Sequence, residues 1–344
     1  MSEKTSVQQQ FPNEACDFVV FMDLTYNGQE DKLVPKTNGS GFELFSAMAA
    51  NGSGNHLVAV SHEDIRECVD KWKDPLALSH FVITTSSWIT KNKFDGLAFL
   101  GVHVPNDRLP TLHKMLQKFH EAFKENRPRS LLLMFAIQVT NYKAASVELL
   151  QNLQKIVKVV DYTILETHHS RPLTTCNALL PTSFREYSDL ADSVPVVTAL
   201  EWTKQLQNGV EPLPNLCFSL SLASLHYTLK TTTNNVGAPC DDEKLIPYNQ
   251  ARTIRRMLAL DDWVGPIQDE RAIAAYHYRN NQWQSFLTPD SITKMMRLAL
   301  KVNPSVCVAA YYVDYEDYMG MCKHNQTFPR LTAVRHVLDQ VRTR

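Results

Sequence analysis

Short runs of β-branched and apolar residues alternate along this chain with longer stretches in which apolar positions recur every three or four residues. The runs lie at Asp17 to Met22, Leu57 to Ser61, Gly96 to Val104, Leu131 to Val139, Tyr162 to Thr167, Leu216 to Leu222 and Val306 to Val313. Several are apolar at nearly every position, the pattern of strands covered on both faces. Between them, Leu109, Leu112, Met115, Leu116, Phe119 and Phe123 give one apolar face to an outer helix over Leu109 to Lys124. Repeated β/α units of this kind predict a mostly parallel sheet. Seven strand runs predict an eight-stranded barrel with one strand unaccounted for, as if the chain starts late.

The alternation stops between Lys230 and Gln282. Turn residues Asn234-Asn235-Val236-Gly237-Ala238-Pro239 are followed by a polar, helix-like stretch from Asn249 to Leu260. Ala272 to Trp283 then predicts a hairpin about Asn280-Asn281. This reads as a small domain inserted between the last two barrel strands. The expected division is a disordered segment over 1–14, a barrel over 15–229 and 284–344, and an insertion over 230–283.

Composition narrows the partners. The 344 residues, 44% hydrophobic, suffice for a large α/β barrel. Lys plus Arg (35) nearly balances Asp plus Glu (36), so no net field steers the chain to nucleic acid or an acidic membrane. No apolar run approaches the roughly 20 residues that span a bilayer. No secretory signal is read in Met-Ser-Glu-Lys-Thr-Ser-Val-Gln-Gln-Gln, which has no apolar segment behind its lysine. The seven cysteines form no CxxC pair, so a structural zinc site has little support. Asn-x-Ser/Thr sequons stand at Asn38, Asn51 and Asn325, which are acceptors in a chain that enters the secretory pathway and chance matches otherwise.

Phe94-Asp95-Gly96-Leu97 resembles the start of the fourth-strand signature D-G-x-D-x-D-W-E of glycoside hydrolase family 18, the chitinases and chitinase-like lectins. Further along, Leu206 to Leu229 resembles that family's seventh strand and the helix before it. Asn235-Val236-Gly237-Ala238-Pro239 resembles the start of its insertion domain, and Ala272 to Lys294 its P-Y…Q-W…K stretch. The tail is the most specific part. Glu316-Asp317-Tyr318-Met319-Gly320-Met321-Cys322 stands for D-D-F-x-G-x-C, and Phe328-Pro329-Arg330-Leu331 for Y-P-L-L. Order and spacing agree over roughly residues 12 to 340. The resemblance implies a TIM-type (β/α)8 barrel lacking a counterpart to the family's first strand, with an α+β insertion domain between strands 7 and 8. It also implies that Cys16 has lost its family partner. Cys322 matches the family's tail cysteine, whose usual partner position falls near Ala251, so Cys240 becomes a substitute partner.

Family 18 enzymes work by substrate assistance. A glutamic acid protonates the leaving oxygen while the sugar's own N-acetyl group attacks, oriented by a neighbouring aspartate. The aligned residues here are Asp95, then Ala98, Leu100 and Val102, so only the outermost acid remains. Val102 stands at the proton donor and Leu100 at the acetamido-orienting aspartate. The family's M-x-Y-D becomes Glu166-Thr167-His168-His169, its Y-G-R becomes Ala223-Ser224-Leu225, and its floor tryptophan becomes Tyr311. The resemblance therefore implies a pseudo-chitinase with no catalytic residue, no cofactor and no metal. Tyr311, Glu166, His168 and Asp95 are the candidate ligand-binding residues. The partner expected is a chitin-type N-acetylglucosamine oligosaccharide, bound weakly, or a protein.

Other readings stand beside this one. Glu166 and His168, two apart, form either a satisfied structural pair or a salvaged acid/base pair in a hydrolase with relocated carboxylates. With His103, His169, His62 and Glu63 they suggest a metal site, but the spacing matches no metal motif. Asp95 is most simply structural, His226 and Tyr227 loop residues, and Arg252, Arg255 and Arg256 a solvated helix face. Family resemblance implies an extracellular protein. The missing signal peptide favours instead a cytoplasmic interaction protein.

Overall fold

The computed structural model describes residues 15–27, 32–36, 40–52, 54–60, 65, 71–103, 105–125, 130–139, 142, 147–169, 175–187, 193–211, 214–248, 263–318, 320 and 327–342. The segment 1–14, the stretch 249–260 with its arginines, and the sequons at Asn38 and Asn325 lie outside the described residues. The chain divides into two compact units. The first comprises Met1–Val139, Lys143–Leu165 and Trp202–Cys217, and the second Thr140–Tyr142, Glu166–Glu201 and Phe218–Arg344.

In the first unit the strands are β1 (Phe18–Asn27), β2 (Lys32–Pro35), β3 (Asn55–Val60), β4 (Gly96–Val102), β5 (Leu132–Ile137) and β6 (Tyr162–Leu165). The helices are α1 (Ser40–Ala50), α2 (Pro75–Lys91), α3 (Leu109–Glu125) and α4 (Val147–Ile156). The hydrogen-bonded order is β6-β5-β4-β3-β1-β2. Pairs β1–β3, β3–β4, β4–β5 and β5–β6 are parallel, while β2 folds back antiparallel on β1. The place beside the first sequence-read strand is thus taken by a short hairpin arm. Helix α2 starts where Asp74 accepts from Leu76 N–H at 3.0 Å and Pro75 fixes φ at the first helical position. Phe81 of α2 and Phe99 of β4 both pack on Phe119 of α3, with ring centroids 5.6 Å apart, so the helix layer is stitched to the sheet by aromatic contacts.

Polar groups at the N-terminal feet of the strands set their register. His56 N–H donates to Asp95 Oδ2 at 2.7 Å while Asp95 N–H donates to His56 O at 2.7 Å. Two strands along, Leu133 N–H donates to Asp161 Oδ2 at 2.7 Å and Asp161 N–H returns to Leu133 O at 2.8 Å. Asn55 and Asn215 donate their side-chain amides to the carbonyls of Asp17 and Asp161, each at 3.0 Å. Gly96 follows Asp95 because a Cβ there would lie 2.0 Å from Leu132 O.

Strand β7 (Asn215–Ser221) begins in the first unit and ends in the second, where its neighbour is β13 (Cys307–Tyr311). Helix α5 (Val196–Gln207) precedes it. A five-stranded antiparallel sheet of the second unit has the order β10-β11-β12-β8-β9, from β8 (Ser224–Leu229), β9 (Cys240–Ile246), β10 (Val264–Asp269), β11 (Ala274–Arg279) and β12 (Gln282–Phe286). This is the insertion. The hairpin about Asn280-Asn281 is present, with Asn280 in the left-handed region and Arg279 abreast of Gln282. The sheet is wider than the 230–283 stretch because β8 leaves β7 almost at once to pair with β12. His226 and Tyr227 are therefore strand residues, not loop residues.

Helices α6 (Pro289–Val302) and α7 (Pro329–Arg342) also belong to this unit. At the start of α7 the guanidinium of Arg330, fully buried, pairs with the equally buried Glu316. Arg330 Nε donates to Glu316 Oε2 at 2.5 Å, and its other donors reach Leu222 O and Leu287 O. Its flat face lies 3.9 Å from the centroid of the Tyr248 ring. One side chain thereby ties the tail to the end of β7, the approach to α6 and the insertion.

Cysteine pairing differs from the family-based expectation. Cys240 is bonded to Cys176, with Cα atoms 5.1 Å apart, and not to Cys322, which lies outside the described residues. The bond is short-range in space because Asn177 bridges Pro239 and Cys240 N–H donates to Cys176 O at 3.0 Å, bringing the two segments edge to edge. Cys217 and Cys307 are also disulfide-bonded.

Candidate functional site

In the first unit, β4 holds the positions that the sequence resemblance sets against acids. Its residues from Gly96 to Val102 are apolar or glycine, with Ala98 and Val102 wholly buried and Leu100 5% exposed. Phe99 faces α3, so Ala98 and Leu100 take the opposite face of the strand. Simple alternation would place Val102 with them. Instead, Gly101 adopts φ 65° in a bulge: Phe99 lies abreast of Phe135 and Val102 abreast of Ile137, so three steps on β4 match two on β5. The bulge carries Val102 to the side that Phe99 and Ile137 share. Asp95 sits at the opposite end of the strand, serving the same register latch as Asp161.

The second unit brings the other three sequence-read residues together. Glu166 and His168 lie just past the end of β6 and Tyr311 ends β13. Tyr311 Oη donates to Glu166 Oε1 at 2.6 Å, both residues being buried. Burial, and then the neighbouring Glu166 charge, push the Tyr311 hydroxyl well above its ordinary pKa. The His168 ring packs on Tyr311 with centroids 4.2 Å apart, tilted by 31°. Tyr311 is therefore an enclosed ring holding a carboxylate, with one face already covered by an imidazole.

His168 is itself fixed by Ser219 of β7. The Ser219 hydroxyl oxygen accepts from Thr167 N–H at 2.8 Å and His168 N–H at 3.2 Å, and lies 2.8 Å from His168 Nδ1. With two donors already on the oxygen, the hydroxyl proton goes to Nδ1, which makes His168 the Nε2–H tautomer. Burial, and then neighbouring His169, push the imidazole down to a pKa of about 3. So weak a base does not draw a proton from a serine or a water at neutral pH, and Ser219 is itself buried. The His168–Ser219 pair has dyad distances without dyad chemistry. His169 turns elsewhere, its Nε2 3.2 Å from Glu243 Oε1 on β9, which pins this loop to the insertion sheet.

Tyr312 and Tyr315 were not singled out in the sequence. Tyr312 adopts the left-handed conformation (φ 60°, ψ 46°), an uncommon state for a bulky residue that costs on the order of 1–2 kcal/mol. That turn lifts its half-buried ring over the His168–Tyr311 pair, with centroids 5.9 Å from His168 and 6.3 Å from Tyr311. Tyr315, also half-buried, stands 6.1 Å further on. Rings on a strained turn after a barrel strand are suited to pack on the apolar face of a pyranose. The Tyr311-Tyr312-x-x-Tyr315 spacing was the available signal. Among the described residues, no group of three or more His, Cys, Asp or Glu side chains is placed to hold a metal ion; His62 and Glu63 lie outside them.

No protein-family model matches the sequence, and no curated protein matches it. Solved structures do. An immunomodulatory active chitinase from Trichuris suis, TsES1, aligns over 95% of this chain and 93% of its own, with a TM-score of 0.77 and 13% identity. The Group IV chitinase of Ostrinia furnacalis aligns over 96% and 93%, with a TM-score of 0.74 and 19% identity. Human YKL-39, described as a pseudo-chitinase with retained chitooligosaccharide binding properties, aligns over 97% of both chains, with a TM-score of 0.71 and 17% identity. At such identities the likeness establishes the fold: a TIM-type α/β architecture with an antiparallel insertion, shared with chitinases and chitinase-like proteins alike.

Proposed function

We propose that this chain is a non-catalytic chitinase-like protein that binds a chitin-type oligosaccharide weakly through the tyrosines that follow β13. The observation that carries the reading is β4, apolar or glycine throughout: Ala98, Leu100 and Val102, which align in sequence with the family's acids, cannot donate or accept a proton, and the Gly101 bulge turns Val102 to the side of Phe99. General acid catalysis contributes roughly 10²–10⁴-fold, and the loss of electrostatic stabilisation multiplies the deficit. Glu166 is a poor substitute for the missing donor, because it is buried and its Oε1 already accepts from the Tyr311 hydroxyl. Binding of chitooligosaccharides by a pseudo-chitinase of the same fold lends support. The disulfides are consistent with an extracellular setting.

Retention on chitin beads and turnover of a fluorogenic N-acetylglucosamine oligomer test the proposal together. The expected outcome is weak retention, lost in Tyr312→Ala, with no turnover. Turnover that disappears in Glu166→Gln would establish a hydrolase with relocated groups, and equal failure of wild type and Tyr312→Ala to bind would leave the tyrosines without a glycan role.

A further inference from the structure

The outer helices of the first unit differ sharply in charge. Helix α3 carries Lys114, Lys118, Glu121, Lys124 and Glu125 on its solvent side. Helices α1 and α2 together carry only Glu43 and, at the last position of α2, Lys91. They are joined where Phe42 stacks on Trp88, with centroids 6.2 Å apart and planes 12° off parallel. Outward they present Leu44 (42% exposed), Leu76 (80%) and Ile83 (65%). A surface this poor in charge has weak hydration of its own and favours self-association.

Asn51 lies on that surface. Leu44, Ala47 and Asn51 are three and four residues apart, one exposed stripe of α1, and Asn51 N–H still donates to Ala47 O at 3.1 Å. Gly52 follows in the left-handed conformation (φ +68°), and a Cβ built on it would meet nothing within 4 Å among the described residues. In sequence, Asn51-Gly52-Ser53 is an N-glycosylation acceptor. An independent observation supplies the compartment: Cys176–Cys240 and the bonded Cys217 and Cys307 are oxidised, the state kept in secretory rather than cytosolic surroundings.

We propose that Asn51 carries an N-linked oligosaccharide that hydrates the charge-poor α1–α2 surface. The bond formed joins Asn51 Nδ2 to the anomeric carbon. The bond broken joins that carbon to the phosphate of a lipid-diphosphate oligosaccharide donor, which leaves with the electron pair while the amide gives up one proton. Asn51 precedes β3, at the foot of the strands where His56 meets Asp95, so the glycan leaves the C-terminal ends of β3 and β4 uncovered.

The test is peptide mapping of the full chain from its native source, with N-glycans released enzymatically in heavy-oxygen water. The expected result is the isotopic mark of conversion to aspartate at Asn51, and an unmodified Asn51 in the disulfide-bonded protein overturns the proposal. In a secreting cell host, Asn51→Gln and Ser53→Ala are each expected to lose one glycan's mass and to shift toward larger species in light scattering. Variants that lose the glycan and stay as monodisperse as wild type would overturn the shielding role. None of these readouts depends on chitin binding.

Discussion

Strand β4 and the segment that leaves β6 solve opposite problems with opposite means. In β4, seven consecutive residues are apolar or glycine and make the sheet's ordinary contacts. In Glu166–His169, four consecutive polar residues are just as buried, and the structure supplies Tyr311, Ser219 and Glu243 as partners. Buried polar groups are nearly always hydrogen-bonded. The difference teaches that acids in a barrel need a supporting shell, and that the shell in this chain has been built around residues 166–169 and not around β4. The stretch leading into β4 does structural work: Phe94 packs with Phe45, Asp95 holds His56, and Gly96 admits Leu132.

The largest effect should come from placing an acid in β4, whose side chains are apolar or glycine throughout. Val102→Glu buries a carboxylate on the helix side of the sheet, and a group so placed shifts its pKa by up to about 3–5 units, equivalent to roughly 4–7 kcal/mol. Denaturant titration should register that loss with no gain in chitinase activity; a neutral Val102→Glu would show that β4 tolerates chemistry after all. Next, Tyr311→Phe removes one donor from the buried Glu166 carboxyl and should cost about 2 kcal/mol, inside the roughly 1–3 kcal/mol range for a buried acceptor that loses a hydrogen bond. A loss as small as that of an exposed tyrosine would mean that the pair is incidental.

The smallest effect is a slope. His168 binds a proton near pH 6.5 when unfolded but only at about 3 when folded, so between those values the unfolded state holds more protons. Stability attributable to His168 is fully present above pH 6.5 and falls as the pH drops toward 3, by at most about 1.4 kcal/mol per pH unit. His168→Gln should flatten that part of the stability profile, and an unchanged profile would place the proton elsewhere.

Much of the scaffold was legible because its strands are long apolar runs, whose burial of about 1.5–3 kcal/mol per large side chain outweighs local detail. The runs at Leu57, Gly96, Leu131, Tyr162, Leu216 and Val306 all became strands. Arm β2, four residues long, gave too short a pattern to see. Strand β8 was hidden by its closeness to β7, since only pairing with β12 distinguishes a new strand from a loop. At the site, the grouping of Glu166 with His168 was legible from a two-residue spacing. Ser219 and the Cys176–Cys240 bond were not, because partners 51 and 64 positions apart are chosen by the path of the chain. The bulge at Gly101 escaped as well, glycine in a strand being equally compatible with plain pleating.

Arg330 carries a consequence for the order of events during synthesis. Leu222, Tyr248, Leu287 and Glu316 all emerge before it does, so the acceptors, the ring and the counter-charge it serves must wait for it. Until that residue arrives, a carboxylate with no cation and two carbonyls with no donor oppose compaction of the second unit, whereas the first can settle on the ribosome. A nascent chain halted short of α7 would then present a half-finished second unit, its buried acceptors still open to water.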